Sequence, residues 1–274
     1  MDNKRINSHY LLAAEKALKS FPIQAENIEF IEISENVTFR IKVTGSDTDY
    51  SLRLHRPGYN SIDELESERM WTKALSGAGI IVQEGLQSSH NQKYYVLIDI
   101  PGIDEQRYAG ITTWVEGIPL SVHLENCASS AEQIKQFRRL GEIIATMHNQ
   151  TTAWNAAPHF ERRRLDVDSL LGEDPFWGRF WEHPELSKEE QDLLIRTRDD
   201  LRDCLNAYSE SANNFSLIHA DLNTENLIYT GEDLAVIDFD DSAYGWHIYD
   251  LTAAFIEFVS ELDIDQLQKA LLEG

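Results

Sequence analysis

The segment from residue 216 to residue 241, SLIHADLNTENLIYTGEDLAVIDFDD, constrains this 274-residue chain more than any other part of it. Two short apolar runs, 227–229 and 234–237, flank a polar turn that contains a glycine, a pattern typical of a β-hairpin. If the runs pair about Glu232, Asn226 and Asp238 lie opposite each other at the open end, because each is six residues from that centre. The sequence therefore predicts an amide and a carboxylate at one spot.

A third oxygen-bearing side chain precedes this pair. Asp221 lies in the segment 220–225, which has neither helical nor strand periodicity, so a loop can carry it to the same edge. Two carboxylates and an amide suit phosphoryl transfer, in which the protein mostly positions the reactants and neutralises charge. One carboxylate can orient a hydroxyl and accept its proton, and the other two groups can hold Mg²⁺, which prefers oxygen ligands. The alternative is that all three only cap turns.

The spacing H-x-D-x-x-x-x-N from His219 to Asn226, followed by I-D-F-D at 237–240, resembles the catalytic and metal-binding loops of the protein-kinase-like superfamily. It is most similar to the aminoglycoside phosphotransferase and choline kinase family. The resemblance implies an α+β, two-lobed protein-kinase-like fold, with a small antiparallel-sheet N-lobe and a mainly helical C-lobe. It also implies that ATP and Mg²⁺ are used to phosphorylate a hydroxyl group of a small molecule.

The same resemblance assigns roles to the motif residues. Asp221 is expected to be the catalytic base, Asn226 and Asp238 are expected to bind Mg²⁺, and His219 is expected to brace the loop. A single histidine beside an apolar run is typical of a hydrogen-bonded structural residue.

The strands predicted at 39–43 and 50–55 place Arg53 on the face opposite Tyr50, Leu52 and Leu54. The family usually has a lysine on this strand that holds the α- and β-phosphates, and we expect Arg53 to take that role. The alternative is an exposed strand arginine. The preceding loop, 34–36, lacks the glycine-rich pattern of protein kinases, so it weakens a protein-kinase assignment more than the family assignment.

A capping box at 61–64 predicts the start of a helix on which Leu65, Glu68, Thr72 and Leu75 share one face. A carboxylate inside such a stripe needs a partner, and Arg53 is the predicted partner of Glu68, by analogy with the lysine–glutamate pair of kinases. The alternative places Glu68 at the solvent-exposed edge of the stripe.

Further strands are predicted at 94–98 and 111–115, followed by a breaker at 116–119 that resembles the hinge between kinase lobes. The C=O of Thr113 and the N–H of Val115 would then bind the adenine edge, unless this is an ordinary edge turn. We accordingly expect a nucleotide-binding lobe at 1–115 and a mainly helical catalytic and substrate-binding lobe at 116–274.

Beyond residue 115 the pattern becomes helical. His148 lies on the apolar stripe of a core helix, which favours a hydrogen-bonded core histidine over a ligand. Aromatic residues between 158 and 186 can wall a substrate pocket or form the core of a helical insert. A long helix is predicted at 188–208, and Asp250 is expected to brace the catalytic loop. Family members usually continue with several more helices after this aspartate, whereas this sequence ends 24 residues later.

The formal net charge is −23, and 22 acidic but only 5 basic residues lie from Glu182 onward. Such a charge repels nucleic acid and anionic membranes and would attract a cationic substrate, although a merely solubilising surface is an alternative. Two widely spaced cysteines, no signal peptide and no long apolar stretch indicate a reduced cytoplasmic protein.

Two rival functions remain at this level. A protein kinase is disfavoured because no A-P-E signature follows Asp238. A catalytically silent, nucleotide-binding regulatory protein is the other rival. The acceptor stays open among an amino sugar, a choline-like amine, a homoserine-like amino acid and a sugar, as do the choice of ATP or GTP and the oligomeric state.

Overall fold

A computed structural model describes residues 3–127, 129–256 and 264–274, and these divide into two compact units. The first unit comprises residues 1–128, 156–161 and 225–240, and the second comprises 129–155, 162–224 and 241–274. Of the helices in the described ranges, none is long and apolar enough to cross a bilayer.

The first unit is built around antiparallel strands. Its helices and strands are α1 (Asn3–Leu18), β1 (Ala25–Ile33), β2 (Val37–Val43), β3 (Tyr50–Leu54), α2 (Ile62–Gly77), β4 (Ile81–Val82), β5 (Gly85–Leu86), β6 (Tyr95–Asp99), β7 (Gln106–Thr113), β8 (Ile118–Pro119) and α3 (Leu120–Asn126). Two strands from later in the sequence, β11 (Leu227–Tyr229) and β12 (Leu234–Val236), complete it.

The main sheet of this unit has the order β1-β2-β3-β7-β5, with β6 paired to β7, and every pairing is antiparallel. Its inner face packs against α1, whose buried alanines allow close approach to the buried strand residues Phe39, Ile41 and Leu52. A smaller sheet, β4-β12-β11-β8, carries the predicted hairpin.

The start of α2 follows from a local sequence signal, whereas β1 lacks one. The capping box of α2 forms, since Ser61 Oγ accepts from the N–H of Glu64 at 3.1 Å and Glu64 Oε2 accepts from the N–H of Ser61 at 2.8 Å. Strand β1 was not predicted, because its apolar residues alternate with exposed glutamates only in part.

The second unit is mainly helical. Its helices and strands are α4 (Ser130–Ala153), β9 (Arg164–Leu165), α5 (Val167–Leu171), α6 (Lys188–Tyr208), β10 (Phe215–Ile218), β13 (Ala243–Trp246), α7 (His247–Ala253) and α8 (Ile264–Glu273). Helix α6 has the predicted bounds. A small sheet, β10-β13-β9, supports the loop that follows β10.

Helices α4 and α8 of this unit approach closely at Gly141, where a Cβ atom would lie 2.0 Å from the carbonyl oxygen of Leu271. Not even a methyl group fits at that distance, so glycine is required for this packing. The buried core of α4 also contains Phe137, whose ring stacks on that of Phe255 with centroids 5.2 Å apart. The packing holds α4, and with it His148, in place beneath β10.

Candidate active site

The loop after β10 in the second unit is held from below by Asp250. This buried carboxylate accepts hydrogen bonds from the N–H groups of His219 (3.2 Å) and Ala220 (2.8 Å) and contacts His148 Nε2 at 2.9 Å. Burial acts to raise the pKa of the Asp250 carboxyl, but His148, His219 and the Ala220 amide hold that pKa below its usual value. The predicted bracing role of Asp250 and the hydrogen-bonded role of His148 are both confirmed.

The backbone of this loop is strained at Ala220, which has a φ of +66°, a conformation that costs a non-glycine residue free energy. The Asp250 hydrogen bond to the Ala220 amide stabilises that conformation. The N–H of Asp221 donates to His219 Nδ1 at 3.3 Å, and Asp221 Oδ1 accepts from Asn223 Nδ2 at 3.0 Å. The half-buried Asp221 is therefore held through its backbone amide and through one oxygen of its carboxylate.

An aromatic and acidic surface adjoins Asp221 within this unit. Burial raises the pKa of the Tyr249 hydroxyl; a hydrogen bond with Trp177 opposes the rise, and the negative charges of Asp241 and Asp221 add to it. Trp177 is 46% exposed, and it forms an edge-to-face pair with Phe176. Trp177, from the aromatic segment predicted either as a pocket wall or as a helical core, thus contacts Tyr249 at a partly exposed position.

In the first unit, the hairpin that carries Asn226 and Asp238 forms with a different register from the predicted one. Leu227 pairs with Val236, and the N–H of Ile237 donates to the C=O of Asn226 at 3.0 Å. The predicted placement of Asn226 directly opposite Asp238 is therefore wrong by one residue. The reason lies in the turn, where the Thr230 N–H donates to the Asp233 C=O and centres the hairpin between residues 231 and 232.

Asp238 lies just beyond the end of the ladder, with a left-handed backbone (φ +61°). Its carboxylate accepts two hydrogen bonds from the Arg53 guanidinium, from Nη1 to Oδ1 at 2.6 Å and from Nη2 to Oδ2 at 3.1 Å. Burial acts to lower the pKa of Arg53, but Asp238 and Asp240 raise it above its usual value, so this cation stays charged. The structure therefore joins two residues that the sequence assigned to separate roles.

The predicted ion pair between Arg53 and Glu68 is wrong. Glu68 is 2% exposed on α2 and pairs with the adjacent Arg69, which is also buried. The alternative, which places Glu68 at the solvent-exposed edge of the apolar stripe, is wrong as well. One oxygen of Glu68 and two nitrogens of Arg69 lack hydrogen-bond partners among the described residues. Because Glu68 and Arg69 are buried and make few other hydrogen bonds, removing either side chain would leave the charge of the other without compensation.

A cavity opens in the first unit next to these groups. Its lining includes Arg53, Glu68, Arg69, Tyr94, Thr112 and Asp238. Four charged side chains and a tyrosine on the walls of one cavity suit a polar, charged ligand better than an apolar one. Glu68 and Arg53 thus line one cavity without pairing with each other.

The predicted hinge residues lie at the end of β7. Thr113 is the last residue of the strand; its N–H donates to the C=O of Glu84 at 2.9 Å, and its C=O accepts from Gln83 Nε2 at 3.2 Å. Val115, which was predicted within the strand, follows it and is half-buried. The Thr113 C=O, predicted to bind the adenine edge, is therefore already engaged by the Gln83 side-chain amide.

Asn226 and Asp238 offer one amide and one carboxylate, the hard oxygen ligands that Mg²⁺ accepts alongside phosphate and water. Within the described part of the protein, no cluster of three or more histidine, cysteine or acidic side chains is arranged to hold a metal. The chemistry of the Asn226 and Asp238 side chains thus fits two ligands of a hard divalent ion.

Sequence reasoning missed Arg69, His55 and Asp240 as members of this region. The duplicated acid of I-D-F-D was the available signal for Asp240, and the arginine that follows Glu68 was the signal for Arg69. His55 carried none, since it simply ends a predicted strand.

The profile of the phosphotransferase enzyme family matches residues 28–272 of this protein. The chain belongs to the phosphotransferase enzyme family. The predicted resemblance is thereby confirmed, and His219, Asp221, Asn226 and Asp238 all fall inside the matched range.

Individual members of this family agree with the assignment. Amicoumacin kinase of Bacillus subtilis (strain 168) is 23% identical over 256 residues, which cover 92% of this chain and 68% of the relative. The solved structure of a microcompartment-associated aminopropanol kinase matches with a TM-score of 0.80 and 26% identity, over 95% of this chain and 78% of the other.

A second solved structure, that of the amicoumacin kinase hAmiN in complex with AMP-PNP, Ca²⁺ and Ami, matches with a TM-score of 0.73 at 19% identity, over 99% of this chain and 79% of the other. At that identity the match speaks for the fold alone. The predicted α+β, kinase-like fold class is confirmed by these phosphotransferase structures.

Proposed function

We propose that the protein is an ATP- and Mg²⁺-dependent phosphotransferase that phosphorylates a hydroxyl group of a small molecule. The observation that carries the proposal is the bidentate pair of Arg53 and Asp238 on the wall of the charged cavity. A guanidinium suited to phosphate and a carboxylate suited to a hard metal ion stand together there, as a metal–triphosphate requires. The names of the relatives, an aminopropanol kinase and an amicoumacin kinase, support a small-molecule acceptor.

Each predicted residue has one role in this proposal. Asn226 and Asp238 hold the metal, and Arg53 binds the phosphates; Thr113 and Val115 present backbone groups to the base, and Glu68 keeps Arg69 in place on the cavity wall. A bound Mg²⁺ would neutralise charge on the triphosphate. In this proposal residues 1–115 are the nucleotide-binding lobe and residues 116–274 the catalytic and substrate-binding lobe. Of the second range, residues 116–128, 156–161 and 225–240 pack in the first compact unit.

The chemical step uses Asp221. Its fixed carboxylate orients the acceptor hydroxyl and accepts its proton while the hydroxyl oxygen bonds to the γ-phosphorus. The bond from that phosphorus to the β–γ bridging oxygen breaks, and ADP leaves. Because the transition state of phosphoryl transfer is loose, orientation of the hydroxyl supplies much of the effect.

A cationic acceptor is favoured by the surroundings of Asp221. Asp241 adds a second negative charge near Tyr249, and Trp177 and Tyr249 present aromatic surface beside them. Aromatic faces and carboxylates attract an ammonium group, and the net charge of −23 adds long-range attraction.

The test measures ADP release from ATP and Mg²⁺ over a panel of acceptors in matched pairs, for example aminopropanol against propanediol, with choline, amino sugars, amino acids and sugars included. We expect turnover with at least one amino alcohol and at least about tenfold lower kcat/KM for its uncharged counterpart. Nucleotide binding without turnover on any acceptor would favour the silent regulatory protein. Phosphate transfer to a protein alone would favour a protein kinase.

A further inference from the structure

Asp240 stands two residues beyond Asp238, and its side chain is turned into the protein. It is 6% exposed. Its Oδ2 accepts from Asn36 Nδ2 at 2.6 Å, and its Oδ1 lies 3.2 Å from His55 Nδ1. Its backbone carbonyl oxygen accepts from Asn60 Nδ2 at 3.1 Å. The side chain and the backbone carbonyl of Asp240 thus both make contacts within the first unit, whereas the Asp238 carboxylate lines the cavity.

The Asn36 hydrogen bond links Asp240 to the loop between β1 and β2, the 34–36 loop. Asn36 Oδ1 also accepts from the N–H of Arg56 at 2.9 Å, so the side-chain amide is held on both sides. The C=O of Glu35 accepts from Arg107 Nη1 at 3.2 Å. The 34–36 loop is therefore fixed by contacts from three separate parts of the first unit.

The position of the loop relates it to Arg53. Strand β2 begins directly after Asn36, and its second residue, Thr38, pairs with Arg53 of β3. Arg53 Nη1 lies 3.8 Å from Asp240 Oδ2, the same oxygen that accepts from Asn36. Arg53 thus lies next to the carboxylate that holds the 34–36 loop, so the placement of Asp240 affects both the phosphate-binding candidate Arg53 and the loop.

We propose that Asp240 is a positioning residue for nucleotide binding, which ties the 34–36 loop to the Asp238 turn through Asn36, and that it is not a second metal ligand. The inference rests on the proposed function. In this proposal the two acids of I-D-F-D have different roles. Asp238 faces the ligand, and Asp240 fixes the distance between the 34–36 loop and the turn at Asp238. Because the tie is one hydrogen bond between two named side chains, it can be broken and restored by exchanging them.

The first variant, Asn36→Asp, replaces the donor with a carboxylate that faces the buried carboxylate of Asp240. Two like charges at this distance repel, so the loop must move away from position 240. We expect the Kd for ATP–Mg²⁺ to rise by about tenfold or more. The second variant, Asp240→Asn, keeps an oxygen that can accept from Asn36, so we expect a rise of no more than about threefold.

The decisive variant combines both changes. With Asn36→Asp and Asp240→Asn together, the carboxylate at position 36 accepts from the amide at position 240 and still accepts from the N–H of Arg56. We expect this double variant to bind ATP–Mg²⁺ within about threefold of the wild-type Kd, which makes the two substitutions strongly non-additive. A residue that only stabilises the fold would not produce such a rescue of ligand affinity.

Two results would overturn the proposal. One is a double variant as weak as Asn36→Asp, because then the negative charge at position 240 is itself required, as it would be for a metal ligand. The other is a wild-type Kd in Asn36→Asp, because then the loop does not need the tie.

The Kd is measured by titration calorimetry on the full-length protein, at a temperature where melting curves show every variant folded. Asn91→Asp is the matched control for an asparagine-to-aspartate change in a loop of the first unit. Asn91 lies in another loop of this unit, where its Oδ1 accepts from Ser88 Oγ and, as Asn36 Oδ1 does, from a backbone N–H, that of Lys93. We expect the Kd of Asn91→Asp for ATP–Mg²⁺ to be that of wild type. A wild-type protein that binds no ATP–Mg²⁺ would refute the proposed function itself, whereas variants that all bind as wild type would refute only the role of Asp240.

Discussion

Arg53 and Asp238 are locked to each other by two hydrogen bonds, of 2.6 Å and 3.1 Å, across the two sheets of the first unit. Their side chains are 21% and 31% exposed, so both remain open to a ligand in the cavity. If Asp238 holds a metal ion as proposed, the Arg53 guanidinium would lose part of this contact and could bind the phosphates of the nucleotide. One residue pair can thus couple metal binding to phosphate binding.

Asp238→Ala is expected to abolish the effect of Mg²⁺ on nucleotide affinity, because the proposed metal bridges this carboxylate and the phosphates. The measurement compares the Kd for ATP in the presence of Mg²⁺ and in EDTA. The exposed loop residue Asp47 provides the control, since Asp47→Ala should keep the wild-type difference. If Asp238→Ala keeps it as well, Asp238 is not the metal ligand.

Arg53→Ala is expected to raise the KM for ATP by about tenfold or more, because a charge-assisted contact to the phosphates is lost. Arg53→Lys should recover only part of the affinity, since an ammonium group cannot bond bidentately. Steady-state kinetics at saturating acceptor measure both variants. An unchanged KM in Arg53→Ala would remove Arg53 from the phosphate site.

Glu68→Ala is expected to act on stability rather than through Arg53, because it leaves the Arg69 cation buried without its partner. Breaking a buried pair on one side costs about 3–5 kcal/mol in the free energy of unfolding. Urea unfolding measures this, with Glu29→Ala on the exposed face of β1 as the control, expected within about 0.5 kcal/mol of wild type. A loss below about 1 kcal/mol in Glu68→Ala would contradict the account of this pair.

His247 is expected to make the protein less stable between pH 6.5 and pH 4. Burial and the neighbouring His148 lower the pKa of His247 from 6.5 to about 4, against an opposing effect of Asp250. Between pH 6.5 and pH 4, His247 is therefore protonated in the unfolded protein but neutral in the folded protein. The free energy of unfolding falls as the pH is lowered through this range. After allowance for solvent screening, the loss is roughly 1–2 kcal/mol.

The measurement is the free energy of unfolding at pH 7 and at pH 4.5, for wild type and for His247→Gln. The variant should lose less stability than wild type between the two pH values, and His90→Gln, at an exposed loop residue, should follow wild type. Identical pH dependence in His247→Gln would show that another group is responsible.

The motif residues of the candidate site can be singled out from the sequence because their spacing lies within one short stretch of the chain. Asp221, Asn226 and Asp238 follow from a loop and a hairpin that are local in sequence, and the capping box of α2 from four consecutive residues. Local elements of this kind depend little on the rest of the fold.

The partners of the buried charges could not be predicted in this way. Residues 68 and 69 point about 100° apart around a helix, so helical periodicity gave no reason to pair them. The hairpin register was missed by one residue because a hydrogen bond inside the turn, between Thr230 and Asp233, sets it. The tie between Asn36 and Asp240 joins residues 204 apart, a distance over which a single sequence carries no pairing signal.

The central claim, phosphoryl transfer with Asp221 as the base, is tested most directly by Asp221→Asn. The amide keeps the shape of the side chain and an oxygen that can accept from Asn223, so the loop should stay in place, but it cannot take up the acceptor proton. With Asp203→Asn on the exposed side of α6 as the control, kcat and the Kd for ATP–Mg²⁺ are measured together. The account predicts a kcat lowered by about 10² or more with nucleotide affinity near wild type. A near-wild-type kcat would contradict it, because Asp221 would then only cap its loop.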